Sequence, residues 1–139
     1  MKFTRKAIAI WNGTGKDGSG TVTTQSTTLN EAQYSYKTRF EEGVGTNPEE
    51  LIAAAHSGCF AMQLSFLLSE KGYKPSSLEV EARVTFEDGS VTQVALKLEG
   101  EVAEISEREF QGTAEKAKEI CPISRLLNAE IGLTATLVK

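Results

Sequence analysis

The stretch from Asn47 to Gly72 constrains this chain more than any other. Asn47 supplies an N-cap, Pro48 suits the first helical position, and Glu49 and Glu50 stand where the positive end of a helix dipole favours carboxylates. Asn47 and Glu50 have capping-box spacing, with Asn in place of Ser or Thr. The pattern predicts a helix that runs to about Lys71 and stops at Gly72. Between Leu51 and Leu68 it is apolar around much of its circumference. Ile52, Ala55, Cys59, Met62 and Phe66 fall on one side, and Phe60, Leu64 and Leu67 on another. A helix of that kind is buried on more than one side. In a chain of 139 residues the coverings implied are a sheet on one face and a second subunit on the other.

The remaining elements place that helix in an α+β domain. No repeat or linker divides the chain, and its length suits one domain, residues 1–139. Lys6 to Asn12 alternates loosely. Lys16-Asp17-Gly18-Ser19-Gly20 is a turn cluster, and Thr21 to Thr24 has strand composition. Tyr34 to Phe40 alternates aromatic and polar residues, which predicts a half-buried strand, and a glycine-rich loop follows. Asp88-Gly89 joins strands at about Ser77–Glu87 and Ser90–Ala103 as a hairpin. Ser106 with Glu109 opens a second helix. Phe110, Ala114, Ala117 and Cys121 share its apolar face, and Pro122 marks a kink or restart. Ile131 to Val138 reads as a closing strand.

Charge and composition remove several function classes. The net charge is −4 and no basic patch stands out, which argues against nucleic acid. No uninterrupted apolar run approaches the roughly 20 residues of a membrane helix, so no membrane association is expected. Met1 to Trp11 carries basic residues but no apolar core of signal-peptide length, and the expected location is the cytoplasm. There a permanent disulfide is disfavoured, and paired thiols are catalytic, redox-sensing, metal-binding or simply buried. With two distant Cys and one His, no metal site is expected.

Taken alone, two cysteines on apolar helix faces are most often inert small hydrophobes. Small residues precede Cys59, from Ala53 to Gly58, and Cys121 sits at a helix break. Arg39 and the carboxylates at the helix start flank a glycine loop. The run Thr38-Arg39-Phe40, then Gly45-Thr46-Asn47-Pro48-Glu49-Glu50-Leu51, then Ala54-Ala55-His56-Ser57-Gly58-Cys59-Phe60, with Cys121-Pro122-Ile123-Ser124 later, resembles the OsmC/Ohr family. These are osmotically inducible proteins and organic hydroperoxide reductases. The resemblance covers essentially the whole chain, and Arg39 and His56 are similar to the OsmC branch.

The resemblance implies antiparallel sheets around a long buried central helix in an intertwined homodimer. It also implies a peroxidase of organic hydroperoxides, weaker on hydrogen peroxide. Cys59 would be the attacking thiolate and Cys121 the resolving thiol. Arg39 would activate the sulfur and stabilise developing charge, oriented by Glu49. Sulfenic acid on Cys59 would give way to a Cys59–Cys121 disulfide. No cofactor would be bound, and an external dithiol, a dihydrolipoyl group on a carrier protein, would recycle it. Phe40, Phe60 and His56 are the expected substrate contacts. Helix geometry adds a condition: Glu49 and Cys59 are ten residues apart on one helix, about 15 Å at ~1.5 Å per residue. Both enter one site only if a partner subunit supplies Glu49 and Arg39 to Cys59. Two other classes stay open. One is a non-catalytic redox sensor or stress-binding protein using the same thiols. The other is a Cys-His acyltransferase using His56 and Cys59, for which no third orienting group is identifiable.

Overall fold

Turn residues alternate with β-formers over the first third of the chain, and the product is a three-stranded antiparallel sheet. Strands β1 (Ala7–Asn12), β2 (Ser19–Thr24) and β3 (Ala32–Tyr34) lie in the order β1-β2-β3. The structure, a computed structural model, describes residues 1–138, and the chain forms two compact units that part after Leu51.

The expected strand from Tyr34 to Phe40 is not what forms. Strand β3 ends at Tyr34, and helix α1 (Tyr36–Phe40) follows. The Ser35 hydroxyl accepts from the Thr38 amide at 3.4 Å, and the Thr38 hydroxyl accepts from the Ser35 amide at 2.8 Å. That reciprocal cap fixes a helical turn and overrides the alternation of the side chains. Arg39 therefore sits on a helix rather than at a strand end.

Helix α2 (Pro48–Glu70) is the predicted long helix, and Gly72 beyond it has a φ of 90°. The Asn47 side chain accepts from the Glu50 amide at 2.8 Å, as the cap pattern required. The Glu50 carboxylate turns elsewhere and accepts from the Thr46 hydroxyl at 2.7 Å.

The second unit begins at Ile52. Strand β4 (Ser77–Glu87) pairs antiparallel with β5 (Ser90–Glu101) through Asp88 and Gly89, both with φ above zero as a tight hairpin turn needs. Helices α3 (Glu107–Ile120) and α4 (Pro122–Leu126) then lead to β6 (Glu130–Val138). Here the expectation of antiparallel sheets needs one correction: β6 runs parallel to β5, from Gln93 beside Glu130 to Glu101 beside Val138. The cause is the connection. A helical crossover carries the chain back past the sheet before β6 starts, and that route returns a strand in the original direction.

Phe60, Leu64 and Leu68 repeat every four residues on α2 and are fully buried. They join Val94, Leu96 and Leu98 of β5 and Phe110, Ala114 and Ala117 of α3 in one core. Each large apolar side chain so buried contributes roughly 1.5–3 kcal/mol. Gly100 is part of this fit, because a Cβ there would stand 2.7 Å from the Phe110 ring. The opposite stripe of α2 is open, with Gly58, Met62 and Phe66 exposed. Burial on more than one side is thus met on one side within a single chain. The expectation that nothing approaches membrane-span length also changes, since α2 has 23 residues and a mean hydropathy of 1.6 in its most apolar window. Part of that hydropathy belongs to the face in the core just described, and part to the open stripe of Met62 and Phe66.

Candidate active site

Cys59 stands on α2 beside fully buried Phe60 and is itself half-buried. Cys121 is fully buried and caps α3, its amide donating to the Ala117 carbonyl at 3.0 Å. Pro122 excludes helical backbone at the preceding residue, and Cys121 accordingly has a ψ of 122°. The chain turns there and restarts as α4. That turn puts the Cys121 sulfur 3.0 Å from the Cys59 sulfur, within thiol–thiol hydrogen-bond distance. Both cysteines are free thiols.

The Cys59 thiol is pushed above its ordinary value, first by burial and then by its hydrogen bond with Cys121. The Ile123 amide, which donates to the Cys59 sulfur, works in the opposite direction. Within one chain the balance favours the neutral thiol.

One turn before Cys59, His56 is fully buried, with Nε2 2.7 Å from the Ser124 hydroxyl oxygen. Its Nδ1 has no hydrogen-bond partner among the described residues. Burial pushes its pKa down from 6.5, so the ring is neutral at physiological pH.

Arg39 and Glu49 form the second pair, in the first unit. The Glu49 carboxylate accepts from Arg39 Nε and Nη2, each at 3.0 Å, a bidentate fork. Local structure holds the two ends together. Asn47 caps α2 with its oxygen while its amide nitrogen donates to the Thr38 carbonyl of α1 at 2.9 Å. Gly45, with a φ of 136°, allows the loop between them to pass the Gln33 carbonyl, where a Cβ would collide. The Arg39 guanidinium lies 5.2 Å from the centre of the Phe40 ring. Beside it is a cavity of about 270 Å³ lined by Trp11, Tyr34, Tyr36, Arg39, Phe40 and Pro48.

The structure therefore brings the predicted residues together as two pairs, one in each unit. Of the three expected substrate contacts, Phe40 is exposed on 47% of its surface. Phe60 and His56 have no exposed surface in this chain, Phe60 because it packs the core and His56 because Ser124 holds it inside. Sequence reasoning passed over Ser124 as a partner for His56, and Trp11 and Tyr36 as neighbours of Arg39. Equal spacing was the available signal for Ser124, since His56 precedes Cys59 by three residues and Ser124 follows Cys121 by three. Nothing comparable in the sequence pointed to Trp11. Among the described residues no three His, Cys, Asp or Glu gather as a metal site.

Two thiols in contact, one of them half-buried on a helix and the other at a helix break, can pass between dithiol and disulfide without large motion. Known proteins resemble this chain along most of its length. The family model described as "OsmC-like protein" matches residues 41–136. The chain is 45% identical over 137 residues to "Peroxiredoxin OsmC" of Escherichia coli (strain K12), covering 96% of each. It is 28% identical over 101 residues to an "Organic hydroperoxide resistance protein" of Xanthomonas axonopodis pv. citri (strain 306), covering 68% of each. A solved structure of an organic hydroperoxide resistance protein from Elizabethkingia anophelis superposes with a TM-score of 0.72 at 27% identity, covering 99% of this chain and 100% of that one.

Proposed function

The chain belongs to the OsmC-like protein family and is a peroxiredoxin-like peroxidase, and we propose that it reduces organic hydroperoxides, and hydrogen peroxide more weakly, through the thiols of Cys59 and Cys121. The observation that carries this reading is the 3.0 Å approach of the two sulfurs. In the first step the Cys59 thiolate attacks the outer peroxide oxygen. The O–O bond breaks, an alkoxide leaves and takes a proton to become the alcohol, and Cys59 is left as sulfenic acid. The Cys121 sulfur then attacks that sulfur. The S–S bond forms, the S–O bond breaks, and hydroxide leaves as water. A dithiol, for which a dihydrolipoyl group is chemically suited, reduces the disulfide and restores both thiols.

Arg39 is the activating charge in this account. Its guanidinium lowers the Cys59 pKa and donates to the departing oxygen, and the Glu49 fork fixes its direction. The aromatic cavity beside Arg39 would take the organic group of the peroxide, with Phe40 and Trp11 against it.

The working unit in this reading is a homodimer in which Arg39 and Glu49 of one subunit serve Cys59 of the other. Two features support it. Helix α2 is continuous from Glu49 to Cys59, so the helical rise separates them within a chain. Apolar residues stand open on both units, Ile8 and Ile10 on β1 and Met62 and Phe66 on α2, as surfaces meant for a second copy do. The reading assigns the protein to the cytoplasm, where a dithiol pool is available.

The deciding experiment is turnover. Sustained consumption of an alkyl hydroperoxide with a dithiol reductant, abolished in Cys59→Ser, is the expected result. A single stoichiometric event under every dithiol tried would instead make the thiol pair a sensor.

A further inference from the structure

Among the described residues the His56 ring has one hydrogen bond, and it goes to the segment that carries the proposed resolving thiol. On α2, His56 and Cys59 are three residues apart and share a face. On the facing segment, Cys121 and Ser124 have the same spacing. The contacts match in opposite order, His56 with Ser124 and Cys59 with Cys121, as between two antiparallel strips. The two links are separated by about one helical turn, roughly 4.5 Å of rise.

The segment has reason to need a second anchor. Cys121 is where the helical hydrogen-bond ladder is broken, and α4 is a five-residue helix with no fully buried residue. The Cys121 carbonyl accepts from the Arg125 amide at 3.1 Å, which stiffens the turn but does not tie it to α2. Ile123 and Leu127 pack against the core, and apolar packing is non-directional. The Ile123 amide donates to the Cys59 sulfur, but that contact goes to the reacting atom itself. The bond from His56 supplies a direction that does not depend on the reacting sulfur. It is 2.7 Å long, inside a fully buried ring whose other nitrogen has no partner among the described residues. Leaving one buried ring nitrogen unpaired is a cost, and a purely space-filling role would be met better by an apolar side chain.

We propose that His56 is the positioning residue of the resolving step: its hydrogen bond to Ser124 registers the Cys121–Ser124 segment on the central helix and so aims the Cys121 sulfur at Cys59. The inference rests on the two-thiol reading and adds to it. Disulfide closure requires the Cys121 sulfur to approach the sulfenic sulfur opposite the departing oxygen. A segment free to slide misplaces it, and a misplacement of about 1 Å costs on the order of a hundredfold in rate. The attack of Cys59 on peroxide needs no such alignment of Cys121. The sulfenic acid that waits for a misplaced thiol is open to a second peroxide, which takes it to sulfinic acid.

The test compares the two steps in full-length protein by quenched-flow mass spectrometry with cumene hydroperoxide. Ser124→Ala and His56→Leu should slow disulfide closure by about ten- to a hundredfold while the first step slows far less. Both should accumulate sulfinic acid on Cys59 under excess peroxide. His56→Gln, whose amide nitrogen reaches toward the place of Nε2, should restore closure. Ser124→Ala is the decisive variant if His56→Leu does not fold. Closure at the wild-type rate in Ser124→Ala, or equal slowing of both steps without rescue by Gln, overturns the inference and leaves the two-thiol reading standing. A wild-type protein that consumes the peroxide and forms no Cys59–Cys121 disulfide overturns both.

Discussion

At Cys59 the single chain and the proposed chemistry pull in opposite directions. Burial and the neighbouring thiol favour the protonated form, which does not attack peroxide. The account resolves this with the guanidinium of a partner's Arg39. The rate of peroxide consumption should rise with pH as Cys59 ionises, and in Arg39→Ala that rise should move to higher pH. A stopped-flow pH profile that does not shift would remove Arg39 from the site. His56 makes a separate prediction about stability. Its folded pKa lies below 6.5, so the unfolded chain binds the proton more readily. The stabilisation from a neutral His56 is complete above about 6.5 and is lost as pH falls below it. Urea titrations at pH 7 and pH 5 should therefore show a smaller loss of stability in His56→Gln than in wild type, and an equal loss would contradict the sign. Among single residues, the pairing of Arg39 with Glu49 and of Cys59 with Cys121 was expected from the family resemblance, and each pair is in contact in the structure. The Ser124 contact was missed, because two residues 68 apart leave no periodicity and the matching three-residue spacing from each cysteine is a faint trace.

Among the elements, the central helix announced itself through its cap, its carboxylates and its terminal glycine. Asn47 does more than the cap pattern showed, since it also binds the Thr38 carbonyl of α1. Asn47→Ala should cost about 1 kcal/mol of stability through the lost cap. It should also lower peroxidase activity by loosening Arg39 against Glu49. Thermal unfolding and steady-state kinetics measure the two effects, and a stability loss with unchanged activity would separate the cap from the site. Two elements were misread for definite reasons. From Tyr34 to Phe40 the side chains alternate, but the Ser35–Thr38 cap decides the backbone, and a cap of two hydroxyls in sequence is a weaker signal than seven alternating residues. Strand β6 was found by its composition, yet its direction is set by the α3–α4 crossover and not by its own residues. Phe60 and Leu64 were expected on one face together with Leu67, but the core takes Leu68, four residues after Leu64, and leaves Leu67 only partly buried.

For the whole molecule the question is what covers the apolar surface that one chain leaves open. Every residue of the edge strand β1 is exposed, and a three-stranded sheet open along that strand is marginal alone. With the open stripe of α2, this argues for a second copy. Met62→Glu and Phe66→Glu should convert a dimer to monomer in analytical ultracentrifugation and lower activity with it, since each site would lose its Arg39 and Glu49. Heterodimers of an Arg39→Ala chain with a Cys59→Ser chain should recover part of the activity that each parent lacks. The fold class and the thiol pair were readable before the structure. The proposal of a shared site rests on setting a helical rise of about 15 Å against the reach of one side chain. The central claim is the division of labour between the two sulfurs, and mass spectrometry after one equivalent of cumene hydroperoxide tests it most directly. The account predicts a Cys59–Cys121 disulfide in wild type and sulfenic acid on Cys59 in Cys121→Ser; sulfenic acid formed on Cys121 in Cys59→Ser, with Cys59 unreactive in Cys121→Ser, would contradict it.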